Sequence, residues 1–312
     1  MAAIAFDCEA DRLKDARVAT RLLDRLAEAI PVLLHNSLSA APALPETIEP
    51  ADGRGVLVSS AKLERDARRE GRIQFGTLGR GNHFLEFQAA EDGRLWLMVH
   101  TGSRHMGQAI TAHHLAIATK TAGGLFHLDA DTEAGRRYLA DVEWACHYAD
   151  ENRREIVNRA IAVAGELLGC PPVPDSLITC NHNHVRRESH CGRELWVHRK
   201  GAVSAAEGEP GIVPGSMGTS SVHTLGRGEP LALNSCAHGA GRRLSRDAAR
   251  RTVSPRRLAS EIDGVWFNPR IAAQLCEEAP SAYKDIDAVL RAQRPLARIV
   301  RRLRPVLVYK GV

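Results

Sequence analysis

Four short segments that place a histidine beside Asn, Gly or Arg constrain what this chain can fold into, because each lies at the end of a predicted strand. They are Gly81-Asn82-His83, His100 with Arg104, His182-Asn183 and His238 with Arg242. A fold that uses all four must gather strand ends from distant parts of the chain at one place. We therefore expect an α/β fold of mixed strands and helices, with the functional site at the strand ends.

The hydrophobic pattern supplies both kinds of element. Apolar and alternating runs predict strands at 1–6, 84–88, 95–99, 176–180, 194–198 and 305–310. Helical spacing predicts helices at 10–34, 59–70, 107–120, 132–168 and 267–279, and residues 36–56 have the composition of a loop. No repeat or clear linker divides the sequence, so we expect residues 1–312 to form a single domain.

Charge and composition narrow the classes of function. The net charge of +5 permits a nucleic-acid partner without requiring one, and an aromatic content of 4% argues against a stacking platform for single-stranded bases. Seven cysteines without a CxxC pair predict neither a disulfide framework nor a zinc knuckle. The sequence has no signal peptide and no apolar run that could span a membrane, so we expect a cytoplasmic protein.

The segment 235–242 is the strongest single candidate for chemistry. His238 is followed by Gly239, Ala240 and Gly241, and small residues let a backbone approach a ligand closely. Histidine can act as a nucleophile, a base or a metal ligand, and Arg242 offers a fork of donors for phosphate. Taken alone, however, a histidine flanked by glycines is more often part of a tight turn in which the imidazole is simply hydrogen-bonded.

The other candidate groups also leave alternatives open. His83, His100 and His182 can form a metal site if the fold brings them together, but any subset of 14 histidines can resemble one. The glycine-rich loops 76–81 and 214–218 can cradle phosphate, although neither has P-loop or dinucleotide-binding spacing, and both can be plain turns. Glu86 can bind a base edge or a metal-bound water, or be an exposed strand residue. Lys310 can be a ligand contact or a solvated tail.

Taken in order, these motifs resemble those of the RtcB family of RNA-splicing and RNA-repair ligases. They span roughly residues 70–312: segment 71–81 with Asn82, His83 and Glu86, then 100–104, 182–183, 198–202, 214–218, 238–242, 282–285 and 310–311. The resemblance implies the family's own fold rather than a Rossmann or P-loop fold. It also implies a ligase that depends on GTP and on two manganese ions. Such an enzyme joins RNA ending in a 2′,3′-cyclic phosphate or 3′-phosphate to RNA with a 5′-hydroxyl, as in tRNA halves or damaged RNA, with or without an activating protein.

The resemblance also implies residue roles. His238 would be the nucleophile that forms a histidine–GMP intermediate, and His83, His100 and His182 would bind manganese. Our candidates for binding the RNA terminal phosphates are Arg104, Arg242 and Arg246. The implied guanine-nucleotide contacts are Asn82, His83, Phe84, Leu85, Glu86, His182, Asn183, Pro214, Gly215, Ser216, Met217, Ser221, His238, Gly239, Ala240, Gly241 and Lys310.

The start of the chain departs from the family pattern. The family carries an Asp-x-Gly-Cys-Gly-Met segment whose Asp and Cys complete the metal site, and residues 1–4 resemble the end of that segment and the residues directly after it. We therefore expect a chain that is truncated at its N-terminus relative to the family. Asp7 and Cys8 are adjacent and do not reproduce the spacing, so we assign them no ligand role. His105 stands where the family usually has Gly, and it can alter the loop or add a ligand.

Three hypotheses remain open on the sequence alone. The first is a ligase of this kind whose true start lies upstream of Met1. The second is a catalytically impaired homologue that binds GTP or RNA ends, because the Asp and Cys ligands are missing. The third is a metal phosphoesterase that acts on cyclic phosphates. His238 and Lys310 argue against the last two, because neither activity needs a guanylylation nucleophile.

Overall fold

The computed structural model describes residues 1–49 and 58–311, so part of the predicted loop 36–56 lies outside the described residues. The strands are β1 (Ala2–Glu9), β2 (Phe84–Ala90), β3 (Arg94–His100), β4 (Thr119–Lys120), β5 (Phe126–His127), β6 (Ile178–Thr179), β7 (Asn183–His190), β8 (Arg193–Lys200), β9 (Ala202–Ser204), β10 (Pro210–Val213), β11 (Ser221–Gly226), β12 (Ser235–Ala237) and β13 (Ala297–Tyr309). The helices are α1 (Ala16–Ala29), α2 (Ala61–Asp66), α3 (Arg72–Gln74), α4 (Arg104–Leu115), α5 (Glu133–Leu168), α6 (Arg246–Thr252), α7 (Pro255–Glu261), α8 (Ala272–Leu275) and α9 (Ile286–Ala292). Short 3-10 helices occupy Ala10–Lys14, Pro230–Ala232, Pro269–Ile271, Cys276–Glu278 and Pro280–Ala282, and a π turn at Ala67–Gly71 joins α2 to α3.

A seven-stranded sheet in the order β10-β11-β13-β2-β3-β1-β6 forms the centre of the molecule. Its neighbouring strands pair antiparallel, for example Leu85 with Val99 and Ala2 with Val99. The two edge strands, β10 and β6, also lie against each other, so the sheet curls until it is nearly a barrel. The mixture of this sheet with helices confirms the predicted α/β class.

Both faces of the central sheet are buried. One face packs against α1 and α5, where Phe6, Phe87 and Leu307 are covered by Leu22 and Ile156. The opposite face packs a second apolar cluster around the β9–β12 pair. Strands covered on both sides show continuous apolar runs rather than alternation, which is why the runs at 1–6 and 95–99 identified β1 and β3.

The helix boundaries correct several predictions. The helix predicted at 10–34 is interrupted at Asp15, whose carboxylate accepts hydrogen bonds from the backbone amides of Arg17 and Val18 and so caps α1. The helix predicted at 107–120 begins three residues earlier, at Arg104, and ends at Leu115, because the β-branched residues after it favour the short strand β4. The helix predicted at 267–279 is divided into α8 and two 3-10 turns. The long helix predicted at 132–168 is confirmed as α5.

Cys8 and Cys170 form a disulfide, with Cα atoms 5.8 Å apart, although the cysteine spacing predicted no disulfide framework. The two residues are separated by 162 positions, and only the packing of the end of β1 against the end of α5 brings them together. Five other cysteines are free thiols: Cys146, Cys180, Cys191, Cys236 and Cys276. No helix within residues 1–49 and 58–311 combines the length and the apolar character needed to cross a membrane.

Candidate active site

His238 follows β12 directly and is oriented by a backbone carbonyl. The pairing of Ala237 with Ala202 places it beside Gly201, and its Nδ1 lies 2.8 Å from the Gly201 carbonyl oxygen. Because a carbonyl can only accept, Nδ1 carries the proton and donates it, which leaves the Nε2 lone pair free. Burial lowers the pKa of His238 below its ordinary value, so the ring is neutral near pH 7. A neutral imidazole with a free Nε2 is the form that a nucleophile requires.

Gly201 connects two of the predicted site histidines. Its amide donates to the carbonyl oxygen of His182 at 2.9 Å, and its own carbonyl accepts from His238. Its φ of +72° lies in the left-handed region, which side chains other than glycine rarely adopt. The backbone turn between β8 and β9 therefore fixes the separation of His182 and His238.

The structure gathers His83, His100 and His182 beside His238. The Nε2 atoms of His100 and His182 are 2.9 Å apart, and the ring centres of His182 and His238 are 4.6 Å apart. The ring of His83 lies 5.8 Å from that of His100, and its Nδ1 accepts from Arg104 at 3.2 Å. Burial lowers the pKa of both His83 and His182 to about 3, with nearby cations or imidazoles adding to the effect, so both rings are neutral.

The donor chemistry of this cluster suits a borderline metal ion. Two facing Nε2 atoms at 2.9 Å can share only one proton, and the Nδ1 of His100 is buried without a hydrogen-bond partner. Neutral imidazoles of this kind are good ligands for zinc or iron, whereas manganese also favours oxygen donors. Within the part of the chain that the structure describes, no three His, Cys, Asp or Glu side chains are already arranged as a metal site. The manganese assignment therefore stays a prediction.

A cavity of about 280 Å³ opens beside His238 and is shared by most of the predicted nucleotide contacts. Its lining consists of Asn82, Phe84, Glu86, His100, Pro214, Gly215, Ser216, Met217, Ser221, His238, Gly239, Ala240, Gly241, Arg242, Arg246, Glu278, Tyr283 and Lys310. Four predicted contacts lie outside this lining. His83 and His182 adjoin it through the histidine cluster, whereas Asn183 is exposed at the start of β7 and Leu85 is buried in the apolar core. Because Leu85 alternates with Phe84 and Glu86 along β2, its side chain points to the opposite face of the sheet.

Two glycine-containing loops form one wall of the cavity because they pack directly on each other. The amide of Ala240 donates to the carbonyl oxygen of Pro214 at 3.2 Å. A Cβ atom at Gly239 would lie 3.3 Å from that oxygen, and one at Gly215 would lie 2.4 Å from the carbonyl oxygen of Ser220. The close approach of these loops explains why small residues occupy both.

A buried network of charges forms the floor of the cavity. Lys310 is only 6% exposed, and its Nζ lies 3.3 Å from Glu278. Glu278 also accepts from the Tyr283 hydroxyl at 2.6 Å and from Arg242 at 3.2 Å. Burial lowers the pKa of Lys310 and raises that of Glu86 to about 8. Because both side chains are buried, Lys310 is not part of a solvated tail and Glu86 is not an exposed strand residue.

The predicted phosphate-binding arginines have different surroundings. Arg242 is held by Glu278 and donates to the Glu277 carbonyl oxygen at 2.6 Å, with its guanidinium over the ring of Tyr283. Arg104 is outside the cavity lining and contacts His83 and Thr77. The side chain of Arg246 is 47% exposed and lies 3.7 Å or more from its nearest carboxylate oxygen. Arg246 is thus the one of these three best placed to reach a ligand.

Some site features carried no usable sequence signal. Glu278 lies in the helix predicted at 267–279, and segment 198–202 as a motif does not indicate a role for Gly201. The Tyr283 side chain belongs to segment 282–285, which supported the resemblance without a role of its own. His105 lies in the first turn of α4, where its amide donates to Gln74 at 3.3 Å, and it does not line the cavity. The Cys8 thiol is consumed in the disulfide, which agrees with assigning it no ligand role.

Comparisons with known proteins converge on one family. The family model described as tRNA-splicing ligase RtcB matches residues 1–311. The RNA-splicing ligase RtcB1 of Escherichia coli strain ATCC 25922 is 38% identical over 251 residues, which cover 76% of this chain and 61% of the relative. The RNA-splicing ligase RtcB of Mycobacterium tuberculosis is 33% identical over 310 residues, covering 85% of this chain and 71% of that protein. The tRNA-splicing ligase RtcB of Pyrobaculum aerophilum is 32% identical over 319 residues, which cover 85% of this chain and 66% of that protein. The alignment with the Escherichia coli protein thus spans about 61% of that relative's length.

Proposed function

Since the chain belongs to the RtcB family, whose curated relatives are named RNA-splicing ligases, we propose that it is a GTP-dependent RNA ligase. It would join an RNA end carrying a 3′-phosphate, or a 2′,3′-cyclic phosphate first opened by water, to a 5′-hydroxyl end. The observation that carries the proposal is His238, a neutral imidazole with a free Nε2 at a cavity lined by glycine loops and basic side chains.

The proposed first step is guanylylation of His238. Its Nε2 lone pair attacks the α-phosphorus of GTP, an N–P bond forms, and the P–O bond to pyrophosphate breaks with the electron pair leaving on oxygen. The adduct leaves a positive charge on the imidazole. The Gly201 carbonyl oxygen stabilises this charge by accepting a hydrogen bond from Nδ1–H. An RNA 3′-phosphate oxygen then takes the guanylyl group from Nε2. The RNA 5′-hydroxyl oxygen finally attacks the activated 3′-phosphate, releasing GMP and a proton.

Different residues of the cavity would contact different parts of the ligands. The glycine loops let the triphosphate approach the backbone, and the half-exposed Arg246, paired with Glu277 only at 3.7 Å, can turn to a terminal phosphate. Arg242, tied to Glu278, positions the floor of the cavity rather than reaching the ligand. Glu86 and Lys310 present a carboxyl group and an ammonium to the nucleotide base from the buried wall. Manganese held by His83, His100 and His182 would neutralise triphosphate charge and favour departure of pyrophosphate.

The test is transfer of label from α-labelled GTP to the protein in the presence of manganese. We expect an acid-labile label on the wild-type chain and none on His238→Ala, with unchanged thermal unfolding. The control is His113→Ala, because His113 lies on α4 outside the cavity. A label that persists in His238→Ala would rule out the mechanism. Binding of GTP without label transfer in the wild type would support the impaired homologue instead.

A further inference from the structure

A second cavity, of about 330 Å³, lies between the β7–β8 hairpin and the start of α5. Among the Phe and Trp side chains of the described residues, only Phe126 and Trp196 are exposed, at 49% and 43%, and both line this cavity. Tyr138 and His198 line it as well, with parallel rings 6.3 Å apart. The few aromatic residues of the chain are therefore not all in its core, and those at the surface are gathered at one place.

The hairpin connects this aromatic cavity to the candidate active site. Cross-strand partners share a face of an antiparallel pair, so Trp196 lies on the same face as its partner Arg187, and Lys200 lies on that face too, two pleats further along β8. β8 ends at Lys200, next to Gly201, whose carbonyl orients His238. At roughly 3.3 Å per residue, His198 and Trp196 are about 10 Å and 17 Å along the strand from Gly201.

The ring of Tyr138 is supported from behind. The imidazole of His114 meets it edge-on, with ring centres 5.3 Å apart. His114 is in turn held by Asp141 at 2.6 Å, and both of these side chains are buried. A ring fixed in this way provides a rigid wall for a flat ligand, because little conformational freedom is lost on binding.

We infer that the exposed face of the β7–β8 hairpin, together with Tyr138 and Phe126, stacks bases of the single-stranded RNA that leads into the active site. The inference rests on the proposed function. Flat rings beside the exposed Lys200 match the two components of single-strand binding, namely stacking on bases and attraction to phosphate, whereas the exposed Arg187 is paired with Glu194 at 3.3 Å. The continuity of the hairpin with Gly201 favours RNA over a protein partner as the occupant. The stacked bases would lie a few nucleotides from the joined end.

The test measures binding of a fluorescent ten-nucleotide single-stranded RNA with a 3′-phosphate, in the absence of GTP. We expect Trp196→Ala to weaken this affinity by about tenfold, which is the usual effect of losing one stacked base. His198→Ala should weaken it less, and Trp196→Phe should restore most of the affinity because it retains a ring. The control is Leu231→Ala, since Leu231 is 93% exposed and lies outside this cavity.

RNA with a single abasic nucleotide at successive positions locates the stacked base. At that position the wild-type protein should lose affinity, and Trp196→Ala should lose nothing further. Equal affinity, within twofold, of the wild type, Trp196→Ala and His198→Ala would overturn the inference. So would a change in self-association of Trp196→Ala by sedimentation with unchanged RNA affinity, because that would mark a protein interface.

Protein labelling by α-labelled GTP separates this inference from the proposed function, because guanylylation needs no RNA. We expect every variant of the aromatic cavity to be labelled as fully as the wild type. Normal labelling together with unaltered RNA affinity would refute the base-stacking site alone. Failure of the wild type to become labelled would refute the proposed function, whatever the RNA affinities are.

Discussion

Gly201 orients the imidazole of His238 through the backbone alone. Its carbonyl selects the tautomer of the imidazole, and its amide ties the same turn to His182. Such a contact differs from the usual carboxylate orienter because it holds the ring without adding a charge. The orientation of His238 thus depends on a residue that has no side chain.

We predict that Gly201→Ala lowers the rate of guanylylation by tenfold or more. A Cβ atom at φ +72° strains the turn by about 1–2 kcal/mol, and relief of that strain moves the carbonyl away from Nδ1. Single-turnover labelling measures the rate, and GTP affinity should change less. Gly208→Ala is the matched control, because Gly208 has φ +73° and open space around its missing Cβ. Equal labelling rates in the two variants would show that the carbonyl contact is unimportant.

At the residue scale, a site residue could be predicted from the sequence when its neighbours in the chain form a recognisable motif. His238 and the glycine loops fall in this class, because small neighbours imply close backbone approach. Glu278 does not, since helical spacing predicts only a helix there, whereas its burial comes with the convergence of Lys310, Arg242 and Tyr283. A partner 32 residues away in sequence leaves no local pattern.

Helix α5 holds the loops that carry the site. The buried side chain of Asn152 accepts from the Gly76 amide at 2.7 Å and donates to the carbonyl oxygens of Thr77 and Gly102. The neighbouring Arg153 donates to Thr101 at 3.0 Å and to Asn181 at 2.7 Å. These loops lead to His83, Arg104 and His182. The helix therefore sets the relative positions of the histidine cluster.

We predict that Asn152→Ala destabilises the protein by about 2–5 kcal/mol, because the buried Gly76 amide and Thr77 carbonyl and the half-buried Gly102 carbonyl lose this partner. Urea unfolding measures the loss, and labelling by GTP should fall even at temperatures where the variant stays folded. Arg154→Ala, two positions further along the helix but exposed to solvent, should change stability by less than about 0.5 kcal/mol. A similar stability for both variants would contradict the role assigned to Asn152.

At the scale of elements, the hydrophobic pattern predicted those strands and helices whose buried residues are apolar. β2, β3 and α5 follow apolar runs or helical spacing, whereas β7 contains only Val185 as an apolar aliphatic residue, and its buried face is polar. There, Arg199 pairs with Glu188 in place of apolar packing. β13 was predicted only from 305, because Arg-rich residues precede it and Pro305 cannot donate to the ladder; the register shifts between Pro305 and Leu307.

Across the whole molecule, which carries a net charge of +5, some basic side chains are neutralised by ion pairs and others are not. Many arginines are neutralised within the fold, as in the pairs Arg159–Glu155 and Arg257–Glu261. Lys200, by contrast, is exposed, and no carboxylate of the described residues lies within ion-pair distance of it. An exposed cation without a carboxylate partner thus lies where the hairpin approaches the site, which the total charge alone could not predict.

This arrangement predicts a specific salt dependence. The logarithm of RNA affinity should fall linearly with the logarithm of salt concentration, because bound cations are released from the phosphates. Lys200→Gln should reduce the steepness of that line by about 0.7 for a single strand, the amount expected for one lost phosphate contact. Lys14→Gln should leave it unchanged, since Lys14 is paired with Asp11 on the surface. Trp196→Ala should instead lower affinity equally at every salt concentration, because stacking releases no cations. Identical slopes for the wild type and Lys200→Gln would mean that the RNA does not run along the hairpin.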